Sequence, residues 1–169
     1  WPKTSGLLRS IRGGKQMNVN EQMKELFTFY ADKKEILEQC WEITKDNVLF
    51  TSYTGYTKIE QLSRSEKTML GTRFEPIVRA ELDIMKGPTL DCVLNTFEYD
   101  IKFTCRTNPN WMIPPECIGK ICLLTHGGDD FFKAGIFVAL ESHLTKGGNR
   151  DSKKTVSKKG KESIRWLYK

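Results

Sequence analysis

Asp91, Asp100 and Lys102 are the residues of this chain whose types and spacing most directly suggest chemistry. They fall on two runs that alternate with period two. The first is Thr89 to Leu94 and the second Phe97 to Cys105, joined by Asn95-Thr96. A hairpin turning at Asn95-Thr96 sets Asp91 directly across from Asp100. Lys102, two residues on, shares their face. Leu90, Cys92 and Leu94 then fall with Phe97, Tyr99, Ile101, Phe103 and Cys105 on the opposite, apolar face. Carboxylates opposed at about 4.5–5.5 Å between Cβ atoms repel unless positive charge lies between them. A divalent cation would supply that charge and could hold a phosphate on its free side.

Spacing alone leaves a second reading open. Carboxylates and lysines are common, so a chain of this length produces about one such pattern by chance. A hairpin with one charged face can also simply turn that face to water. Lys102 is then a cross-strand ion pair and Glu75, upstream, an exposed helix carboxylate.

With 169 residues the chain is expected to be one domain with a substantial core. Its apolar runs, such as Ile121 to Leu124 and Ala134 to Leu140, are too short to span a bilayer, so no membrane partner is expected. No charged-then-apolar leader opens the chain, and a start at Trp1 suggests a trimmed or excerpted product. Five scattered cysteines suggest reduced thiols in a cytosolic compartment. Cys105, Cys117 and Cys122 lack CxxC spacing, and with His126 alone nearby no zinc site is expected.

The net charge of +6 is concentrated at one end. Residues 145–169 carry nine basic residues against Asp151 and Glu162, and the rest of the chain sums to −1. Lys146, Arg150, Lys153, Lys154, Lys158, Lys159 and Lys161 are therefore the candidate nucleic-acid contacts, with Arg165 and Lys169 completing the basic count. A solvated tail is the alternative, but Ser157 can cap a helix leading into Ile164, Trp166, Leu167 and Tyr168.

Residues 1–17 form an unpatterned basic segment, expected to be a mobile arm preceding a single domain over 18–169. Asn20 is positioned to cap a helix with apolar positions Met23, Leu26, Phe27, Tyr30, Leu37 and Trp41, ending near Ile43. Lys45 to Ile59 suggests extended chain or loop with a turn at Thr54-Gly55. Ser63 and Glu66 form a capping box for a second helix toward Leu82, which Pro76 should kink or interrupt. After the hairpin come Trp111 to Ile113, a short helix opened by Pro114-Pro115, and strands over Ile121 to Thr125 and Phe131 to Glu141. The expected fold is α/β or α+β, with helices flanking a central mixed sheet of about five strands.

Several of these stretches together resemble a known family. They are Ser65 to Thr68 through Gly71-Thr72 to Glu75, Asp91, Asp100-Ile101-Lys102, Trp111 to Gly119, and Gly148 to Asp151 leading to Ile164 to Leu167. The pattern resembles the catalytic domain of the NaeI-type restriction endonucleases, in the PD-(D/E)xK nuclease superfamily. The resemblance covers roughly residues 65–167, and Trp111 to Gly119 and Gly148 to Leu167 are its specific parts. Pro76 beside Glu75 departs from the pattern. The family's best-known member also has a further C-terminal DNA-binding domain, expected to be absent or left out of a chain ending at Lys169.

The resemblance implies a restriction-endonuclease-like fold and a type II enzyme, cytoplasmic in a prokaryote, that hydrolyses double-stranded DNA with Mg²⁺. Asp91, Asp100 and the carbonyl of Ile101 would hold the metal, and Glu75 would complete the cluster directly or through water. Lys102 would orient the attacking water. A homodimer on a palindromic site would supply the second cut. Two other readings remain beside it: a nicking repair or junction nuclease on the same fold, and a DNA-binding domain without catalysis.

The charge distribution makes a direct prediction. Neutralising Lys158 and Lys159 is expected to weaken duplex binding for all sequences and flatten the slope of log affinity against log salt by about 0.9 per phosphate no longer neutralised. Titrations at several salt concentrations measure it, and an unchanged slope would make this segment a solvated tail.

Overall fold

The computed structural model describes residues 17–148 and 150–168. Most of the expected N-terminal arm, residues 1–16, lies outside the described residues. Met17 packs against the core, and its carbonyl accepts a bond from the Gln22 side chain at 3.0 Å.

The N-terminal helical region divides in two. Helix α1 covers Val19–Ala31 and α2 covers Lys34–Leu49. The cap of α1 is Asn18, not Asn20: its side chain accepts from the Glu21 amide while Glu21 reaches back, completing a capping box. Between the helices, Lys33 caps its own turn by donating to the Phe29 carbonyl at 2.6 Å. The expected loop after Ile43 is instead the last turns of α2, because Thr44, Lys45, Val48 and Leu49 are buried, the last two in the main apolar core. Phe50, in the left-handed region at φ 47°, joins α2 to a short helix α3, Thr51–Thr54, which Gly55 ends at φ 74°. A single 3₁₀ turn, Ile59–Gln61, follows.

Helix α4, Arg64–Leu82, starts at the expected Ser63–Glu66 capping box. It runs through Pro76 without interruption. Proline removes the bond to the carbonyl four residues back, Thr72, and both residues face solvent, where water can take that carbonyl. Leu70, Phe74 and Val78 form its buried stripe.

The sheet contains β1 (Cys92–Leu94), β2 (Phe97–Thr104), β4 (Ile121–Gly127), β5 (Phe132–Val138) and β7 (Arg165–Tyr168), in the order β1-β2-β4-β5-β7. Only the β2–β4 pairing is parallel, so the sheet is mixed. Its helices flank one face, giving the expected α+β, restriction-endonuclease-like architecture. A small antiparallel ribbon of β3 (Met112–Ile113) and β6 (Lys154–Thr155), a 3₁₀ turn at Pro115–Cys117 and helix α5 (Lys158–Ser163) cover the other face. Ser157 caps α5 as expected, but the Trp166-Leu167-Tyr168 stretch is a strand at the sheet edge rather than more helix.

Two apolar layers result. Leu26, Tyr30, Trp41, Phe74, Tyr99, Leu123 and Ile136 belong to the helical side, and Trp111, Ile113, Cys117, Cys122, Leu124, Phe137 and Val156 to the other. Every residue of β4 is buried, as a central strand covered on both faces must be. The layers are tied by buried polar contacts: Tyr30 to Tyr99 at 2.6 Å, the Trp41 indole to the Gly128 carbonyl, and the Trp111 indole to the Thr125 carbonyl. Gly127 is required here, since a Cβ would meet the Trp41 ring at 2.6 Å. Asp129 joins two distant segments to the end of β4. It accepts from the Ile59 amide, and its carbonyl takes the buried Lys45 ammonium at 2.6 Å.

Candidate active site

The hairpin forms in the expected register, with Cys92 opposite Tyr99 and Leu94 opposite Phe97. Asn95 enters the turn at φ 52°, a conformation asparagine tolerates. The first arm leaves the ladder before Cys92, and carboxylates replace the missing backbone acceptors. Glu98 Oε1 accepts from the amides of Thr89 and Leu90, at 2.7 and 2.9 Å. Asp100 Oδ1 accepts from the Asp91 amide at 2.8 Å, and Asp91 Oδ2 from the Ile101 amide at 3.3 Å. Glu98 therefore organises the hairpin. Leu90 joins the second apolar layer, on the face that carries Asp100, because the chain bends just before β1 begins.

The charged face of β2 is not turned to water. Asp100 is 4% exposed, beside Cys122 across the parallel β2–β4 register and beneath the Pro115–Cys117 turn. Its Oδ2 receives the Lys102 ammonium at 3.0 Å and the Cys117 thiol at 2.7 Å. Cys117 is a member of this site that spacing did not single out. The one sequence signal was its place in the Trp111 to Gly119 stretch.

Burial and its neighbours give the two acids opposite electrostatics. Asp91 is pushed up to about 6, first by burial and then by the Asp100 carboxylate beside it. Burial also works against ionised Asp100, but the Cys117 thiol, Lys102 and the Asp91 amide outweigh it and hold its pKa below the usual value. Lys102 is drawn down by burial and raised further by Asp100, so it remains a cation at neutral pH. The Cys117 thiol is held protonated by Cys122, burial and Asp100, and serves as a donor.

Glu75 occupies the middle of α4, where its carboxylate pairs with Arg79 one turn on. The same Arg79 nitrogen donates to the Asp91 carbonyl at 3.4 Å. Glu75 is thus connected to the Asp91–Asp100 pair through an arginine. Among the described residues, no three His, Cys, Asp or Glu side chains are gathered as a metal-holding group. The four expected residues divide accordingly: Asp91 and Lys102 each contact Asp100, and Glu75 stands behind Arg79.

The basic residues of the C-terminal segment surround the β3–β6 ribbon. Lys146, Arg150 and Lys153 are exposed on the loop before β6, Lys154 lies on β6, and Lys158, Lys159 and Lys161 are on α5. Among the described residues no helix is long and apolar enough to cross a membrane.

Comparison with known proteins identifies the lineage. A family model described as restriction endonuclease NaeI matches residues 33–169. The chain belongs to the NaeI restriction endonuclease family. It is 30% identical over 127 residues to a type II restriction enzyme NaeI of Lentzea aerocolonigenes, which covers 74% of this chain. The chain spans 39% of that relative's length. The family match takes in α2 to β7, and so contains Glu75, Asp91, Asp100, Lys102 and the C-terminal basic segment; α1 precedes it.

The raised pKa of Asp91 has a measurable consequence. Between about pH 4 and 6 the folded protein binds a proton that the unfolded chain releases, so this group's contribution to stability falls as pH rises through that window. Asp91→Asn is expected to stabilise the metal-free protein above pH 6 by about 1 kcal/mol, discounted for solvent screening at a partly buried site. The gain should vanish below about pH 4, and thermal melting across that range would reveal it. A variant less stable than wild type at pH 8 contradicts the assignment.

Proposed function

We propose that this chain is the catalytic domain of a type II restriction endonuclease of the PD-(D/E)xK kind, hydrolysing phosphodiester bonds of double-stranded DNA with Mg²⁺. The observation that carries this reading is the contact of Asp91 and Asp100 beside the Lys102 ammonium, in a chain of the NaeI family.

The donor chemistry fits a hard cation. Two carboxylates and the Ile101 carbonyl offer oxygen ligands, and the upward push on Asp91 marks a place short of positive charge. Asp91, Asp100 and the Ile101 carbonyl would hold Mg²⁺, with Glu75 joining directly or through water once released from Arg79. Bound there, Mg²⁺ supplies charge against the negative phosphate and favours a deprotonated water. Lys102, kept cationic by Asp100, orients the attacking water and donates to the phosphate oxygens as charge develops. Cys117 holds the Asp100 carboxylate in place by donating to the same Oδ2 that pairs with Lys102. Arg79, bonded to the Asp91 carbonyl, fixes the bend that presents Asp91.

Residues 18–169 are proposed as one nuclease domain, with 145–169 contacting the DNA backbone and two copies acting as a dimer on a palindromic site. A prokaryotic cytoplasm is the compartment that fits such an enzyme.

Incubating mixed-sequence plasmid with the protein tests the proposal. Linear fragments are expected with Mg²⁺ and none with EDTA. Lys102→Met should lower the rate by about 10²- to 10³-fold while duplex binding in Ca²⁺ is retained. Cleavage in EDTA, or a wild-type rate for Lys102→Met, would refute the mechanism, and nicked circles alone would remove the dimer.

A further inference from the structure

A concavity of about 860 Å³ opens where the first turns of α4 meet the end of β2. Arg64, Lys67 and Thr68 line it from α4, Thr104 and Arg106 from β2 and the chain beyond it, and Met112 from β3. Among the described residues no carboxylate lines this groove. None of the three cations is ion-paired among the described residues, and Arg64 and Arg106 are exposed. Lys67 and Arg106 converge on the Cys105 thiol, where both oppose the rise that burial causes. The acids of the adjoining hollow, Glu60 and Asp129, share Lys67 and Arg106 with it, but Asp129 is bonded to the Ile59 amide.

Three like charges held around one acid-free concavity repel one another until something negative enters. The groove is also in line with the proposed catalytic residues. Thr104 shares Lys102's face of β2 and ends the strand, and the four residues from Lys102 to Arg106 reach at most about 13 Å, since the Arg106 amide turns back to Thr104 Oγ1. A duplex strand presents a phosphate about every 3.4 Å of axis, so that reach takes in several phosphates beside the one at Lys102. Guanidinium and ammonium groups gathered in this way are the donors that phosphate oxygens accept. Met112 continues the surface onto the β3–β6 ribbon, where it lies opposite Thr155, next to Lys154.

We propose that Arg64, Lys67 and Arg106 form a phosphate-backbone site for duplex DNA, separate from the C-terminal basic segment and flanking the cleaved bond. This rests on the nuclease reading given above. The test is fluorescence anisotropy with a labelled mixed-sequence duplex in Ca²⁺ over a range of KCl concentrations. Combined Arg64→Gln, Lys67→Gln and Arg106→Gln is expected to weaken binding and flatten the salt slope by about 0.9 for each phosphate no longer neutralised. The weakening should add to that of neutralising Lys158 and Lys159. Arg64→Gln and Arg106→Gln as single variants, at exposed positions, keep the test independent of folding. Wild-type binding with unchanged slopes in the triple and single variants overturns the groove and leaves the nuclease reading standing. Wild type that shows no salt-dependent duplex binding overturns both.

Discussion

A carboxylate buried in the middle of a sheet has to be supplied with donors, and Asp100 is supplied from three separate elements. The Asp91 amide reaches it from the preceding arm, Lys102 from its own strand, and Cys117 from the turn that leads into β4. Those bonds keep the acid ionised at 4% exposure and fix where its neighbours stand. The hairpin bend, the cationic state of Lys102 and the seat of the Pro115–Cys117 turn all depend on this one group. Asp91 lacks such support, and the contrast makes it the acid short of positive charge.

Much of this site was legible in the sequence because strand periodicity and turn chemistry are local. Alternation on both sides of Asn95-Thr96 sets the register, and the register alone brings Asp91 to Asp100. The burial of that face was not legible. It depends on Trp111, Ile113, Val156 and Ile164, which arrive from distant parts of the chain and cover the charged side of β2. The role of Cys117 was hidden for the same reason: its partner is 17 residues away and across a strand. Glu75 was correctly placed on a helix, but its pairing with Arg79 follows from helical spacing that also serves ordinary surface pairs.

The helices teach a similar lesson. Ser63 and Glu66 gave a reliable start because a capping box needs both residues at fixed spacing. Asn18 and Asn20 are both good caps, and only Asn18 has a glutamate at the third helical position, Glu21. The break between α1 and α2 falls at Asp32-Lys33, with neither glycine nor proline to signal it. Pro76 is tolerated because the backbone it deprives faces water. The final strand escaped notice because four residues at a sheet edge carry too little pattern to distinguish from a helix end.

The central claim is that Asp91 and Asp100 form the seat of a divalent cation. Calorimetric titration of the DNA-free protein with Mn²⁺, a hard ion that can stand in for Mg²⁺, addresses it most directly. Wild type should bind Mn²⁺ more tightly as pH rises through about 6, where Asp91 gives up its proton. Asp91→Asn should lose that binding and its pH dependence together. Equal Mn²⁺ binding by wild type and Asp91→Asn, or none by wild type at pH 8, would contradict the account.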